Sequence, residues 1–204
     1  MKEQPIFQLS TPNGETDILL HTCCAPCSGA ILECMLQNQL RPTIFYFNPN
    51  IYPTEEYNIR KSESKRFANA LHIPFIDGDY NHNEWLKQIQ GLETEPERGK
   101  RCITCFKIRM AATAHYAALH GFSVFTTTLA SSRWKNLDQI NEAGIYAESL
   151  YPGTYFWSQN WRKGGLSIRR KELIEEYMFY NQTYCGCEFS IRKQNEQLNS
   201  QITE

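Results

Sequence analysis

The fold of this chain is decided by residues 19–30, which read LLHTCCAPCSGA. The apolar run at 17–20 predicts a short buried strand, because turn-forming residues precede it. Pro26 suits the first turn of a helix, and residues 30–36 then show helical apolar spacing. The stretch therefore predicts a strand, a sharp turn and a helix. Three thiols line that turn: Cys23, Cys24 and Cys27.

The predicted turn is a favourable place for thiol chemistry. Backbone N–H groups at a helix N-terminus point outward and carry partial positive charge, which lowers the pKa of a nearby thiol. The thiolate is the form that ligates metals and attacks electrophiles. Cys27 is therefore a candidate metal ligand or catalytic thiol, with a simple helix-start residue as the alternative.

The rest of the chain alternates between strands and helices. Further strands are predicted at 43–47, 73–76 and 123–128, and helices at 55–71, 83–91, 106–120, 136–145 and 167–179. This alternation predicts an α/β fold, Rossmann-like, with a mostly parallel sheet and helices on both faces. The loops after the strands should meet at one rim, where such sheets bind ligands. Residues 151–165 are aromatic and basic without clean periodicity, so no element is assigned to them.

Composition limits the class of protein. The 204 residues are 41% hydrophobic and carry a net charge of −1, so a nucleic-acid partner would need a local basic patch. We expect a single domain over 1–204, with a core at about 17–150, an extension at about 151–194 that completes the cysteine site, and a disordered tail at about 195–204. No leader or membrane span is evident, so we expect a cytoplasmic protein without a membrane partner.

The cysteines are grouped rather than scattered. Seven of the eight lie in three tight groups, and only Cys34, on an apolar helix face, reads as inert core. The groups are Cys23, Cys24 and Cys27; Cys102 and Cys105; and Cys185 and Cys187. Four sulfurs from the first two groups fit either an iron–sulfur cluster or a structural zinc. Adjacent cysteines do not form a zinc knuckle, which favours the cluster without excluding zinc.

The third pair and one carboxylate leave several interpretations open. Gly186 permits a tight backbone path, so Cys185 and Cys187 could form a strained, reducible disulfide or hold a second metal. An accidental pair in a C-terminal turn is the alternative. Asp79 follows a predicted strand and could bind a metal or supply a proton, or it could only form a turn.

Basic and aromatic side chains follow several of the predicted strands and crowd one late segment. Cations on phosphates and rings stacked on unpaired bases are typical of RNA-binding surfaces, although ordinary solvated charge explains any one of these residues equally well. The candidate substrate-binding residues are Arg60, Arg101, Lys135, Trp161 and Arg162. Arg133 and Trp134 belong to the same pattern.

Taken together, these motifs resemble the cobalamin-independent epoxyqueuosine reductase family. The matching segments are 21–28, 47–51 with Glu56, Tyr57 and Arg60, 78–80 with Trp85, 95–106, 125–129 with Lys135 and Asn136, and 184–190. Two positions depart from the family pattern. Asn81 stands where an acid is expected, and Arg133-Trp134 replaces a proline-containing turn.

The resemblance implies a Rossmann-type fold related to PP-loop enzymes, and the last step of queuosine synthesis. In that step the epoxide of epoxyqueuosine, at the wobble position of tRNA, is reduced to the alkene of queuosine. The resemblance also implies a 4Fe-4S cluster on Cys23, Cys24, Cys102 and Cys105. Cys185 and Cys187 would then be redox-active or bind a second, mononuclear iron. The chain lacks a dinucleotide fingerprint after its first strand, so an outside electron donor is expected.

Two other functions stay in consideration. One is a PP-loop-like, ATP-dependent tRNA sulfur transferase that uses Cys27 or the Cys185 pair, although the expected Ser-Gly-Gly-x-Asp-Ser loop is replaced by cysteines. The other is a non-catalytic, zinc-stabilised RNA-binding domain. Iron content and ATP dependence distinguish these functions from the reductase.

Overall fold

The computed structural model describes residues 7–190, and within this range the chain forms a parallel sheet of five strands. The strands are β1 (Asp17–His21), β2 (Arg41–Tyr46), β3 (Phe75–Asp77), β4 (Val124–Thr127) and β5 (Tyr155–Phe156). Their spatial order is β3-β2-β1-β4-β5, and every neighbouring pair is parallel. The central strand is the most enclosed, with Leu19 paired between Thr43 and Phe125. The predicted α/β, Rossmann-like architecture is confirmed.

Helices cover both faces of the sheet. They are α1 (Ala25–Gln37), α2 (Thr54–Ala70), α3 (His82–Gln88), α4 (Lys100–His120), α5 (Leu137–Leu150) and α6 (Leu166–Glu176). Helix α1 packs against α2 and α6, whereas α4 packs along α5. Gly29 allows the close approach of α1 and α6, because a Cβ there would lie 3.1 Å from Leu173 Cδ1. None of the helices in this range is both long and apolar enough to cross a membrane.

Helix α4 begins earlier than the predicted start at residue 106. The structure starts it at Lys100, with Gly99 as the N-cap, so Cys102 and Cys105 lie inside the helix. The Glu95 carboxylate accepts a hydrogen bond from the Lys100 backbone N–H at 3.0 Å and satisfies one free donor of the first turn. The predicted end is confirmed, since Gly121 adopts φ 75° at the C-cap.

Strand β5 was missed because two residues are too short to show alternation. Tyr155 and Phe156 pair with Val124 and Phe125 of β4. The ring of Phe156 occupies the space beside Gly144 of α5, where any Cβ would overlap it. Packing against α5, rather than local periodicity, therefore defines this edge strand. The tail predicted at about 195–204 lies outside the described residues.

The strand order reverses beside β1. The chain leaves β1 for β2 on one side, and later returns to pair β4 on the other side. Ligands in open α/β sheets bind at such a switch point, beyond the carboxyl ends of the strands. The turn after β1 and a short 3-10 helix after β4 (Thr128–Ser131) meet there. Both segments contribute to the site described next.

Candidate cysteine-based active site

Three cysteines converge at the switch point. The sulfur atoms of Cys23, Cys24 and Cys27 all lie within 4.8 Å of one another, and we call this set the N-terminal triad. The Cys23 and Cys24 sulfurs are 3.9 Å apart. Cys24 is the N-cap of α1, in an extended conformation at φ −173°. From across the switch point, Thr128 Oγ1 accepts a hydrogen bond from the Cys23 backbone N–H at 3.3 Å.

Among the three thiols of the triad, Cys23 loses its proton most easily. Hydrogen bonds from the Cys24 and Cys27 thiols lower the pKa of Cys23 well below its usual value, and the cations Lys135 and Arg109 act in the same direction. Because Cys24 and Cys27 keep their protons to donate these hydrogen bonds, the pKa of Cys24 is raised and that of Cys27 rises to about 11. A metal that binds all three sulfurs must therefore displace the remaining thiol protons.

A second cysteine group lies where α4 meets the C-terminal segment. It comprises Cys102, Cys105, Cys185 and Cys187, which lie close enough to interact electrostatically. Cys102 and Cys105 are three residues apart on one face of the first turns of α4. Cys105 and Cys187 are buried in one small apolar cluster with Trp85 and Ile89. Burial is the main reason why the pKa of Cys102 rises to about 11 and that of Cys105 to about 12.

Side chains from α2 hold the backbone around the Cys185 pair. Arg60 donates to the carbonyl oxygens of Cys185 at 3.2 Å and Tyr184 at 3.3 Å. Its charge is balanced by Glu56, at 2.6 Å, and both side chains are buried. Gly186 has φ 118°, and a Cβ there would lie 3.0 Å from Arg60 Nη1. Glycine between the two cysteines is therefore required both by the backbone conformation and by the close approach of α2.

Three side chains link the N-terminal triad to the second cysteine group. Gln182, on the segment that leads to Cys185, donates from Nε2 to Cys24 Sγ at 2.8 Å. Burial lowers the pKa of Lys135, but nearby thiolates from both groups outweigh it and raise the pKa overall. Arg109 lowers the pKa of Cys23 and of Cys105. The two cysteine groups therefore share one electropositive environment.

Arg109 is a buried cation that the sequence interpretation missed. It lies on α4, one turn after Cys105, and is 2% exposed. Its guanidinium donates to His21 Nε2 at 3.3 Å and to Asn48 Oδ1 at 2.5 Å. Burial and the Arg109 charge lower the pKa of His21 to about 3, so the imidazole is neutral and can accept this hydrogen bond. Its spacing of four residues from Cys105, on the same helix face, was the available signal.

The structure groups the candidate ligands differently from the set that the resemblance implies. Cys27 joins Cys23 and Cys24 in one cluster. Within residues 7–190, no set of three or more potential ligands that includes Cys102 or Cys105 has its atoms within 4.8 Å. The four-cysteine ligand set therefore stays a prediction. Asp79 is exposed in the loop after the outer strand β3, and its role also stays a prediction.

The candidate substrate-binding residues fall into two kinds. Arg60, Arg101 and Trp161 are all buried. Arg101 Nη1 donates to backbone oxygens of the loop before α4, including that of Glu93 at 2.8 Å. All three side chains are enclosed in this structure, and their role in substrate binding stays a prediction. Lys135 and Arg162 are only partly buried, in or beside the loop after the short 3-10 helix, and remain candidates.

Fold and site together define an α/β protein with a set of cysteines, at the rim of a parallel sheet, that could hold a metal. Comparison with known proteins is more specific. A family model described as epoxyqueuosine reductase QueH matches residues 18–193. The chain therefore belongs to the epoxyqueuosine reductase QueH family.

Relatives from distant bacteria carry the same description. The chain is 46% identical over 198 residues to epoxyqueuosine reductase QueH of Acinetobacter baylyi, covering 97% of this chain and 91% of that one. It is 48% identical to the Haemophilus influenzae protein, covering 93% of this chain and 77% of that one. The Thermotoga maritima protein is 34% identical, with 88% and 92% covered. The similarity thus includes nearly the whole of the described fold.

Proposed function

We propose that this protein reduces the epoxide of epoxyqueuosine in tRNA to give queuosine, and that the reaction takes place at the cysteine site. It is an oxidoreductase. Family membership over residues 18–193 carries the assignment. The convergence of Cys23, Cys24 and Cys27 at the sheet's switch point supports the location. We also propose that the reaction takes place in the cytoplasm.

The chemistry sets what the site must supply. Converting an epoxide to an alkene breaks two C–O bonds and consumes two electrons and two protons, and the oxygen leaves as water. Because no dinucleotide fingerprint follows β1, we propose that an outside reductant supplies the electrons. Burial alone would lower the pKa of Lys135, but the neighbouring cysteines raise it overall, so the amine keeps the positive charge of an ordinary lysine at neutral pH. It therefore offers substrate a cation beside the sulfurs.

We propose an iron–sulfur cluster at this site, because the N-terminal triad could hold a metal. Cys23, Cys24, Cys102 and Cys105 would hold a 4Fe-4S cluster, which passes one electron at a time. Two of these sulfurs already accept N–H hydrogen bonds, Cys24 from Gln182 at 2.8 Å and Cys102 from the Arg98 backbone at 3.3 Å. Such donors to ligand sulfurs are one means by which proteins stabilise and tune a cluster.

We propose that Cys185 and Cys187 provide the route for the second electron. Cys185 is exposed and Cys187 is buried beside Cys105. They would act either as a dithiol that is oxidised to a disulfide or as ligands of a mononuclear iron, with Asp79 and Cys27 as further candidates. In either case Arg60 positions the pair, because it donates to the Cys185 carbonyl oxygen.

The deciding experiment is anaerobic turnover. Protein loaded with iron and sulfide is incubated with tRNA that contains epoxyqueuosine and with a chemical reductant, and the nucleosides are then analysed. We expect queuosine to appear, and to be lost with Cys105→Ala and with Cys185→Ala. Cys34→Ala is the matched control, since this buried thiol lies apart from both groups, and its Sγ contacts the Phe7 carbonyl oxygen at 3.6 Å.

Other outcomes would contradict the proposal. Sulfur incorporation into tRNA that depends on ATP would indicate a sulfur transferase. A colourless protein that retains one zinc and binds tRNA without turnover would indicate a structural metal domain. Unchanged turnover in either cysteine variant would remove that cysteine from the mechanism.

A further inference from the structure

The loop at residues 132–135, directly after the short 3-10 helix, presents an exposed indole near the cysteines. Trp134 is 68% exposed, and the Arg133 guanidinium carbon lies 4.8 Å from the centre of its ring. Single exposed aromatic residues are common on protein surfaces and need no functional explanation. Trp134 differs in how firmly its backbone is held and in the charges around it.

Two arginines hold this loop. Arg162 donates to the backbone oxygens of Ser132 at 2.7 Å and Lys135 at 2.8 Å. Arg98 donates from Nε to the Trp134 backbone oxygen at 2.9 Å. Guanidinium groups thus bind three of the four carbonyls of an exposed loop. A loop that is already ordered loses less conformational entropy when it binds a ligand.

Arg98 also ties the loop to the second cysteine group. Its backbone N–H donates to Cys102 Sγ at 3.3 Å, and its carbonyl accepts from Gln139 Nε2 at 2.7 Å. Arg98 has φ 67°, a conformation that is uncommon for a residue with a long side chain. One arginine residue therefore bridges a cysteine sulfur and the Trp134 carbonyl, which places the backbone of Trp134 close to the second cysteine group.

The cations around the loop are not paired with carboxylates in the described part of the chain. Within residues 7–190, four cations of this region form no ion pair with a carboxylate: Arg98, Arg133, Lys135 and Arg162. By contrast, Arg169 on α6 contacts three glutamates. Cations that no carboxylate neutralises, around an exposed ring, suit an RNA partner, because cations attract phosphates and the ring can stack on a base.

We propose that Trp134, with Arg133 against its ring, is a stacking platform for an unpaired base of the anticodon loop that flanks the epoxyqueuosine nucleotide. The inference rests on the proposed function, which supplies tRNA as the substrate. Bases of single-stranded loops can be splayed out and stacked on aromatic side chains. Holding the neighbouring base at the rim leaves the modified nucleoside free to reach the cysteines.

Tryptophan fluorescence of the holoenzyme gives a direct test. Trp85, Trp157 and Trp161 are 1%, 5% and 1% exposed, so fluorescence that acrylamide can quench reports mainly on Trp134. The probe is an anticodon stem-loop RNA with epoxyqueuosine at the wobble position. We expect the bound RNA to protect Trp134 from acrylamide. RNA that binds, as shown by anisotropy of a labelled strand, and leaves Trp134 accessible overturns the platform.

Kinetics of variants supply an independent readout. Trp134→Ala should raise the KM for the stem-loop roughly 5- to 100-fold with little change in kcat, because base stacking contributes to binding. Trp134→Phe should restore most of the affinity. Tyr146→Ala is the matched control, because Tyr146 is 44% exposed and has Lys107 Nζ 5.3 Å from its ring centre. An unchanged KM in Trp134→Ala overturns the proposal.

The contribution of charge can be measured separately. Arg133→Gln should reduce the slope of log Kd against log salt concentration by roughly 0.7, as expected when one phosphate contact to a single strand is lost. Lys107→Gln should leave that slope unchanged. Equal slopes for the wild type and Arg133→Gln would remove Arg133 from the interface.

Different results would contradict the proposed function and the Trp134 platform. If the wild type makes no queuosine but its RNA complex protects Trp134, the proposed function fails and the platform stands. If queuosine forms and Trp134 stays accessible in the complex, only the platform fails. RNA that does not bind the holoenzyme at all contradicts both.

Discussion

The N-terminal triad and the Cys185–Cys187 segment place their sulfurs by different means. The triad follows β1 directly, and its turn is held by the sheet and by the start of α1. The C-terminal pair belongs to no strand or helix, and its backbone is held by Arg60 and by the conformation of Gly186. The first region inherits its geometry from the fold, whereas the second depends on a few side chains. That difference sets the expected consequences of mutation.

The largest effect is expected in the triad. Cys24→Ala should lose bound iron and reduce turnover by at least about 10,000-fold, the scale of removing one member of a catalytic unit. Iron and sulfide content and the visible absorption of the anaerobic protein measure the first loss. Cys34→Ala should keep both iron and activity. Full iron occupancy in Cys24→Ala would show that the triad does not anchor the metal.

The next effect tests the side-chain support of the C-terminal pair. Arg60→Gln leaves Glu56 as a buried, unpaired carboxylate, so the free energy of unfolding should fall by about 3–5 kcal/mol. Cys185 should also react faster with a thiol reagent. Lys61→Ala is the control, because its ion pair with Asp77 is partly exposed to solvent and should contribute less than about 1 kcal/mol.

The iron content of Arg60→Gln sharpens the comparison further. If the triad depends on the sheet alone, the folded variant should retain iron while it loses turnover. A parallel loss of iron and turnover would instead show that the two regions form one cooperative unit. Denaturant unfolding and metal analysis of the same sample distinguish these results.

A smaller effect is expected at the cation that the two cysteine groups share. Arg109→Gln removes a buried positive charge that stabilises thiolates of both groups. Reduction of the proposed iron–sulfur cluster adds a negative charge. In the variant this reduction should therefore become less favourable by about tenfold, or about 59 mV for a one-electron couple. A redox titration followed by absorption measures the shift. Arg109→Lys should recover much of it, and Arg66→Gln, an exposed control, should leave the potential unchanged.

The smallest effect is expected at the opposite end of the sheet. Hydrogen bonds from Arg41 lower the pKa of Asp17. The pair therefore stabilises the fold above the unfolded-state pKa of Asp17, and this contribution is lost as pH falls through the folded-state value. Because both side chains are mostly exposed, Asp17→Asn should lower stability by less than about 1 kcal/mol at pH 7.

The pH dependence and activity of this variant complete the comparison. The stability difference between Asp17→Asn and the wild type should shrink toward zero in acid, when Asp17 is protonated. Urea unfolding at several pH values measures it. Turnover should be unchanged, because Asp17 begins β1 while the cysteines follow its far end. A large loss of turnover would show that the amino end of the sheet influences the site.

Elements with strong local signals were predictable, and those defined by packing were not. Four strands and the stop of α4 at Gly121 could be found from apolar runs and a helix-ending glycine. Strand β5 could not, because its two residues are defined by pairing with β4 and by the space beside Gly144. The early start of α4 depends on a cap that Glu95 supplies from the preceding loop.

The same division applies to the site. Grouped cysteines and loops after parallel strands were sufficient to indicate a sulfur-based site at the rim of the sheet. Charged residues were harder to interpret, because a sequence does not show which cations are buried. Arg60 and Arg101 are predicted substrate contacts, and in the structure both are buried and donate to backbone carbonyls. Arg109 went unnoticed and lies buried against His21 and Asn48.

By itself, the sequence determined four of the five strands, the helices around them and the identity of the thiols, because periodicity and residue type act locally along the chain. Only the tertiary structure decided that Cys105 meets Cys187 and which arginines are buried. The reason is physical: burial and electrostatic reach depend on distances between segments far apart in sequence, and those distances exist only once the chain has folded.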